Sequence, residues 1–228
     1  MCADGAGGSR FGPAGRPRAS LVPGSPGVRS FARRGGRLTT GQRRAIERLW
    51  PRYGIDDWAR LDLTRAFGRR APVTAEIGFG MADALATMAE RHPEGNYLGI
   101  EVYRPGIGAA LRAIEARALE NVRLVSADAV AVLDALDEGS LAAALVFFPD
   151  PWPKKRHHKR RLIQAPFVDL IATRLRPGGR FELATDWQPY AVEMLRVIES
   201  QGGFVNLGGE HGFAAGPSQR PPTKFERR

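Results

Sequence analysis

Four carboxylates in this sequence, Glu76, Glu101, Asp128 and Asp150, each close a short apolar run of the kind that fits a buried strand of a parallel sheet. The last of them lies in the chain's densest stretch of chemistry, residues 145–161, which read L-V-F-F-P-D-P-W-P-K-K-R-H-H-K-R-R. Pro149, Pro151 and Pro153 fix φ around Asp150 and Trp152 and bias each preceding residue away from helix, so a stiff, extended turn is expected to present the carboxylate and the indole. Lys154, Lys155, Arg156, Lys159, Arg160 and Arg161 then place six cations in eight positions without an acid, around His157 and His158. An acid and an aromatic delivered to a sheet edge beside such a run describe a site that handles a base while holding its phosphates. The bland alternative is a solvated basic helix start after a Pro-rich loop.

The first apolar run ends in E-I-G-F-G-M-A, where Gly78 and Gly80 let backbone approach a ligand closely. A lone G-x-G is weak evidence, and Glu76 is the discriminating residue. A dinucleotide brings a pyrophosphate to such a helix N-terminus, and a carboxylate there repels it. S-adenosylmethionine carries a sulfonium and an ammonium that outweigh its carboxylate, so the same Glu attracts it. Glu101 follows 25 residues later, about where an acid reads ribose hydroxyls in nucleotide folds. Asp128 is placed either to accept from an adenine amino group or to cap the next helix. Helix capping alone does not account for four consecutive strands that each end in an acid. His157 and His158 lack the spaced partners of a metal site, and no metal is expected.

These residues need a scaffold that brings strand ends together. Residues 73–77, 97–102, 122–127, 143–148, 180–185 and a short 204–207 read as strands. Between them, residues 82–91, 107–119, 129–136, about 160–175 and 188–200 read as helices. The alternation predicts an α/β fold with a doubly wound, mostly parallel sheet, in which ligands bind beyond the carboxyl ends of the strands. Residues 1–28, rich in Gly, Pro, Ser, Ala and Arg, are expected to be a disordered basic tail. Residues 29–70 form a basic arm, with Arg29, Arg33, Arg34 and Arg37 around Phe31, and a helix docked on the domain of residues 71–228. Thr39 or Thr40 caps that helix, Pro51 is expected to stop it at Trp50, and Ile46, Leu49 and Trp50 share one face.

Composition fits this layout. At 228 residues and 43% hydrophobic, the chain can bury the core of one α/β domain. Its net charge of +10 is carried entirely by residues 1–70, which hold 15 Arg and 5 acids, whereas residues 71–228 balance at 19 of each sign. A neutral globular part with a cationic arm suits a nucleic-acid partner. Cys2, the sole cysteine, permits neither an internal disulfide nor a Cys-based metal site, and a reducing cytoplasm follows as the expected compartment. No apolar run approaches the roughly 18 residues that span a bilayer, so no membrane partner is expected.

E-I-G-F-G at Glu76, G-I-E-V at Gly99, F-F-P-D-P-W-P-K-K-R-H-H-K-R-R at Phe147, A-T-D-W at Ala184 and T-K-F-E at Thr223 together resemble the bacterial tRNA (guanine-N7)-methyltransferase family. The resemblance implies a Rossmann-like class I methyltransferase that moves a methyl group from S-adenosylmethionine to N7 of the variable-loop guanine of tRNA, as a monomer or homodimer. Position by position it implies that Glu76, Gly78, Gly80, Glu101, Asp128 and Asp150 contact the cofactor, with Asp150 also catalytic. Lys154, Asp186, Thr223, Lys224, Phe225 and Glu226 would contact the substrate, and Arg156, His157, His158, Lys159, Arg160 and Arg161 would lie on the RNA. Two departures stand out. Ala82 replaces the usual third glycine of the turn, and the sequence stops two residues past Glu226, where relatives continue into a final strand. A six-stranded sheet, partly open at that edge, is therefore expected.

Guanine N7 has a free lone pair, so the reaction needs no base to deprotonate the attacking atom. It needs in-line placement and stabilisation of a guanine that becomes cationic. Asp150 is expected to accept from guanine N1–H and the N2 amino group, and Asp186 to share that edge. Trp152 either stacks on the base or packs the turn. Two other readings stay open: an amino-group methyltransferase, for which Asp150-Pro151-Trp152 would parallel the Asp-Pro-Pro-aromatic turn, and an RNA-binding module that kept the fold without the chemistry.

Overall fold

The computed structural model describes residues 36–209 and 211–214. Five segments form strands: β1 (Val73–Ile77), β2 (Asn96–Ile100), β3 (Val122–Val125), β4 (Leu141–Phe147) and β5 (Leu175–Ala184). All pair in parallel, in the spatial order β3-β2-β1-β4-β5. The sequence therefore winds from β1 through β2 to β3 on one side, then returns past β1 to lay down β4 and β5. This reversal puts the crevice of a doubly wound sheet above β1 and β4.

Both faces are covered, which is why β4 is apolar throughout and every residue of β2 is buried. On one face lie α1 (Thr40–Tyr53), α3 (Asp83–Arg91) and α4 (Arg104–Ala116), whose Leu49, Leu85 and Leu111 pack with Phe79, Leu124 and Leu145. The other carries α5 (Ala129–Ala135), α6 (Ala165–Arg174) and α7 (Gln188–Ser200), with Leu133, Ile171 and Tyr190 against Ile77, Ile100 and Val146. A short α2 (Leu63–Phe67), unforeseen in the sequence, adds Phe67 to the second cluster.

α1 opens with a capping box in which Thr39 accepts from Gln42 N while the Gln42 side chain accepts from Thr39 N. Pro51 does not end it. The proline lies in the last turn, where it removes a single donor, and the helix runs on to Tyr53, whose ring is buried. Gly54 N then bonds Trp50 O, and Ile55 N reaches Leu124 O on β3.

Three other expectations are corrected. Residues 204–207 form no strand, and the described sheet has five strands, not six. Only Phe204 packs, against Phe181, while Val205 and Leu207 are 87% and 86% exposed and Asn206 Oδ1 accepts from Gly208 N in a turn. The helix predicted from about residue 160 starts at Ala165, because the cation run forms its own 3-10 helix over Lys155–Arg160. Where the sequence predicted a strand over 180–185, β5 starts five residues earlier, and Arg176 to Gly179 bulge out between the pairs Leu141–Leu175 and Ala143–Arg180.

Candidate active site

Strand register fixes which residues share the rim. Ile77 pairs with Ile100 and with Val146, Ile100 with Val125, and Val146 with Leu183. One residue beyond that level stand Gly78, Glu101, Ser126, Phe147 and Ala184. Asp128 and Asp186 are three beyond it, Asp150 is four beyond, and Glu76 is one below. In spatial order the acids run Asp128, Glu101, Glu76, Asp150, Asp186 along one end of the sheet. The rim is acidic throughout.

Glu101, 9% exposed, organises the glycine turn. One of its oxygens accepts from Val102 N at 2.7 Å and Tyr103 N at 2.9 Å, and the other accepts from Gly80 N at 2.9 Å. These charge-assisted bonds tie the turn after β1 to the end of β2. Along the turn, Gly78, Gly80 and Ala82 alternate into left-handed backbone, at φ 71°, 55° and 66°. Ala82 holds the conformation that a glycine adopts freely, at a cost of roughly 1–2 kcal/mol. A Cβ built on Gly78 or Gly80 meets nothing within 4 Å, so the turn faces open space where a ligand can lie against backbone. Glu76 is 3% exposed beneath it. Asp128 caps α5, accepting from Val130 N and Ala131 N through Oδ1, so the capping role is real, whatever Oδ2 meets. Buried carboxylates beside an open glycine cradle fit a donor bearing a sulfonium and an ammonium. They do not fit a pyrophosphate.

The second half of the rim is the turn after β4, and it is bent where the sequence predicted extension. Phe148 and Trp152 take φ of 52° and 43°, left-handed values that cost on the order of 1–3 kcal/mol each in bulky residues. Phe148 N donates to Ala184 O, which fixes the exit of β4 against the end of β5. Asp150 is half-buried on this turn, and Asp186 is exposed on the neighbouring one. Trp152 packs the turn: the Arg160 guanidinium lies 5.0 Å from its ring centroid and His157 meets it edge-on. Burial, and then the charges of Arg160, Arg156 and Lys154, hold the His157 imidazole below its usual range.

Lys154, Lys155, Arg156 and Lys159 are exposed beside the turn. Arg161 is not. Grouped in the sequence with the RNA-facing cations, it is 3% exposed and points inward. Its Nε donates to Pro151 O at 2.8 Å, it pairs with Glu193 on α7, and its guanidinium lies 4.7 Å from the Tyr190 ring centroid. Sequence reasoning missed Tyr190 and Glu193 altogether, since nothing in the start of α7 marks them as partners of a turn 30 or more residues away. Thr223, Lys224, Phe225 and Glu226 lie outside the described residues. Among the described residues no cluster could hold a metal ion, and no helix is long and apolar enough to cross a membrane.

Tyr190 also supplies a pH signature. Its hydroxyl accepts from Ile163 N at 3.1 Å, and burial pushes it from 10.0 up to about 12. The folded state therefore holds this proton more tightly than the unfolded one. The stabilisation is fully present below pH 10 and is lost as pH rises towards 12. By pH 11 the loss reaches about 1.4 kcal/mol, one decade of differential proton binding. Denaturant titrations from pH 9 to 11 should show that much more loss in the wild type than in Tyr190→Phe.

Comparison with known proteins identifies the family. The methyltransferase family model Methyltransf_4 matches residues 70–228. A tRNA (guanine-N(7)-)-methyltransferase of Alkalilimnicola ehrlichii is 53% identical over 215 residues, covering 92% of this chain and 90% of the relative. Proteins of the same name from Sodalis glossinidius (52% identical; 88% and 85% covered) and Methylococcus capsulatus (50% identical; 88% and 87% covered) match nearly as well. Among solved structures, an antibiotic-related methyltransferase aligns with a TM-score of 0.48 at 18% identity, over 61% of this chain and 72% of that one. With half its residues identical to these relatives over most of both lengths, the chain belongs to the bacterial tRNA (guanine-N7)-methyltransferase family.

Proposed function

We propose that this protein transfers a methyl group from S-adenosylmethionine to N7 of the variable-loop guanine of tRNA, in the bacterial cytoplasm. The observation that carries the reading is the division of one acidic rim into two halves, an open glycine cradle beside Glu101 and Glu76 and the Asp150 turn flanked by exposed cations. The names of relatives about 50% identical point the same way.

The donor supplies an electrophilic methyl on a sulfonium. In this reading Glu76, Gly78, Gly80, Glu101 and Asp128 hold it, the first by countercharge and the turn by backbone approach. Asp150 faces the guanine, accepts from N1–H and the N2 amino group, and offsets the positive charge that the ring acquires. Its carboxylate selects guanine over adenine, which has no N1–H to donate. Asp186 shares the base edge. A-form RNA hides N7 in a deep, narrow groove, so the guanine is met unstacked or locally opened. Lys154, Lys155, Arg156 and Lys159 grip the phosphates, and binding weakens with salt.

Incubating the purified chain with labelled donor and bulk tRNA, followed by nucleoside analysis, tests the proposal. Label in 7-methylguanosine is the expected result. Label on an adenine or cytosine amino group would replace it with the amino-group reading, and unlabelled tRNA with bound donor absent would leave an RNA-binding module.

A further inference from the structure

We infer that Arg161 and Glu193 form a positioning clamp for the catalytic turn, an inference that rests on the methyl-transfer reading for the role of Asp150 but not for the clamp's geometry. The turn from Phe148 to Trp152 holds two bulky residues in left-handed backbone, and the Trp152 indole N–H is buried with no hydrogen-bond partner among the described residues. Backbone in such conformations persists only where its surroundings over-determine it. The Phe148 N–Ala184 O bond holds the turn at its start, and Arg161 holds it at the Trp152 end. Its Nε takes the carbonyl of Pro151, the residue next to Asp150, while its terminal nitrogen pairs with Glu193 and its plane covers the Tyr190 ring. One guanidinium thus ties the turn to α7 in a fixed fork geometry that a lysine does not reproduce. α7 begins just past the rim, directly after Asp186 and Trp187. The clamp sets the two carboxylate-bearing turns of the base-facing half relative to each other. Its neighbour Arg160 lies over the Trp152 ring of the same turn. A run that reads as six RNA-facing cations therefore contains one that works inside the protein.

The clamp and an RNA contact predict different results. In Glu193→Gln and Arg161→Lys, turnover per folded molecule should fall about 30-fold, because small misplacements of a reacting group carry penalties of that order. The KM for S-adenosylmethionine and the Kd for tRNA should stay within about threefold, and the double variant should be no worse than the worse single one. Arg161→Gln should leave the salt slope of tRNA binding unchanged. If Arg161 instead grips phosphate, Arg161→Gln lowers that slope by about one and Glu193→Gln tightens tRNA binding with normal turnover, and the clamp is overturned. Glu193 retains 27% side-chain exposure, so its Gln variant carries the test should an Arg161 variant fail to fold. Amide hydrogen exchange separates the clamp from the parent reading, whatever reaction the wild type performs. In Glu193→Gln, exchange over residues 148–161 should accelerate at least about tenfold, with β1 to β3 unchanged. Uniform acceleration, or none, would overturn the clamp even if 7-methylguanosine forms. Ordered exchange differences without 7-methylguanosine would support the clamp and overturn only the methyl-transfer reading.

Discussion

Asp150→Asn is expected to lower turnover by about a hundred- to a thousandfold while S-adenosylmethionine binding stays measurable. The substitution keeps the size and shape of a half-buried side chain on a turn that Arg161 and Phe148 hold from both ends. What it removes is the negative charge, and it places an amide donor where guanine N1–H and the N2 amino group also donate. Loss of one pre-positioned electrostatic group opposite developing charge costs turnover of that order. Single-turnover transfer of labelled methyl to tRNA, with donor affinity measured by calorimetry on the same preparation, gives both numbers. Turnover close to wild type would remove Asp150 from the chemistry.

Gly106→Ala should damage the other half of the site without touching an ionisable group. Gly106 lies in the first turn of α4, and a Cβ there would fall 2.1 Å from the Gly80 carbonyl oxygen and 3.3 Å from the Tyr103 ring. The obstacle is backbone and cannot rotate away. Alanine gains about 1 kcal/mol of helix propensity over glycine, but overpacking of this kind costs typically 1–3 kcal/mol, and the displaced atom belongs to the proposed donor cradle. A drop of at least about tenfold in S-adenosylmethionine affinity is expected, with net destabilisation. Gly41→Ala is the internal contrast. It lies in α1, where the new methyl would rest 3.8 Å from Arg112, an ordinary contact, and it should stabilise by about 0.5–1 kcal/mol. Equal effects from the two substitutions would refute the contact-based argument.

The parts of this architecture that were legible in the sequence are those written in period and punctuation. β1 appears at the predicted residues, and β2, β3 and β4 within two of them, because buried parallel strands are short apolar runs bounded by turn residues. The order of acids along the rim follows from the winding alone. Contacts that join distant segments were not legible. Arg161 stands among five other cations, and only its spatial neighbours, Glu193 and Tyr190, turn it inward. The run at 204–207 has the residue types of a strand but no partner for Val205 or Leu207 to pack on, and the local Asn206 turn wins. Pro51 reads as a terminator by its usual effect, yet the last turn of α1 stays wound to the buried Tyr53.

One set of close approaches reaches beyond the site. The Gln42 amide donates to Pro105 O, Gly108 lies against the same Gln42 side chain, and Gly106 abuts the Gly80 carbonyl. The leading helix, which precedes the family-model match and the strand alternation, is thus a buttress at the back of the glycine cradle proposed to hold the methyl donor. A change in its tilt would register as altered donor affinity before it disturbed the sheet.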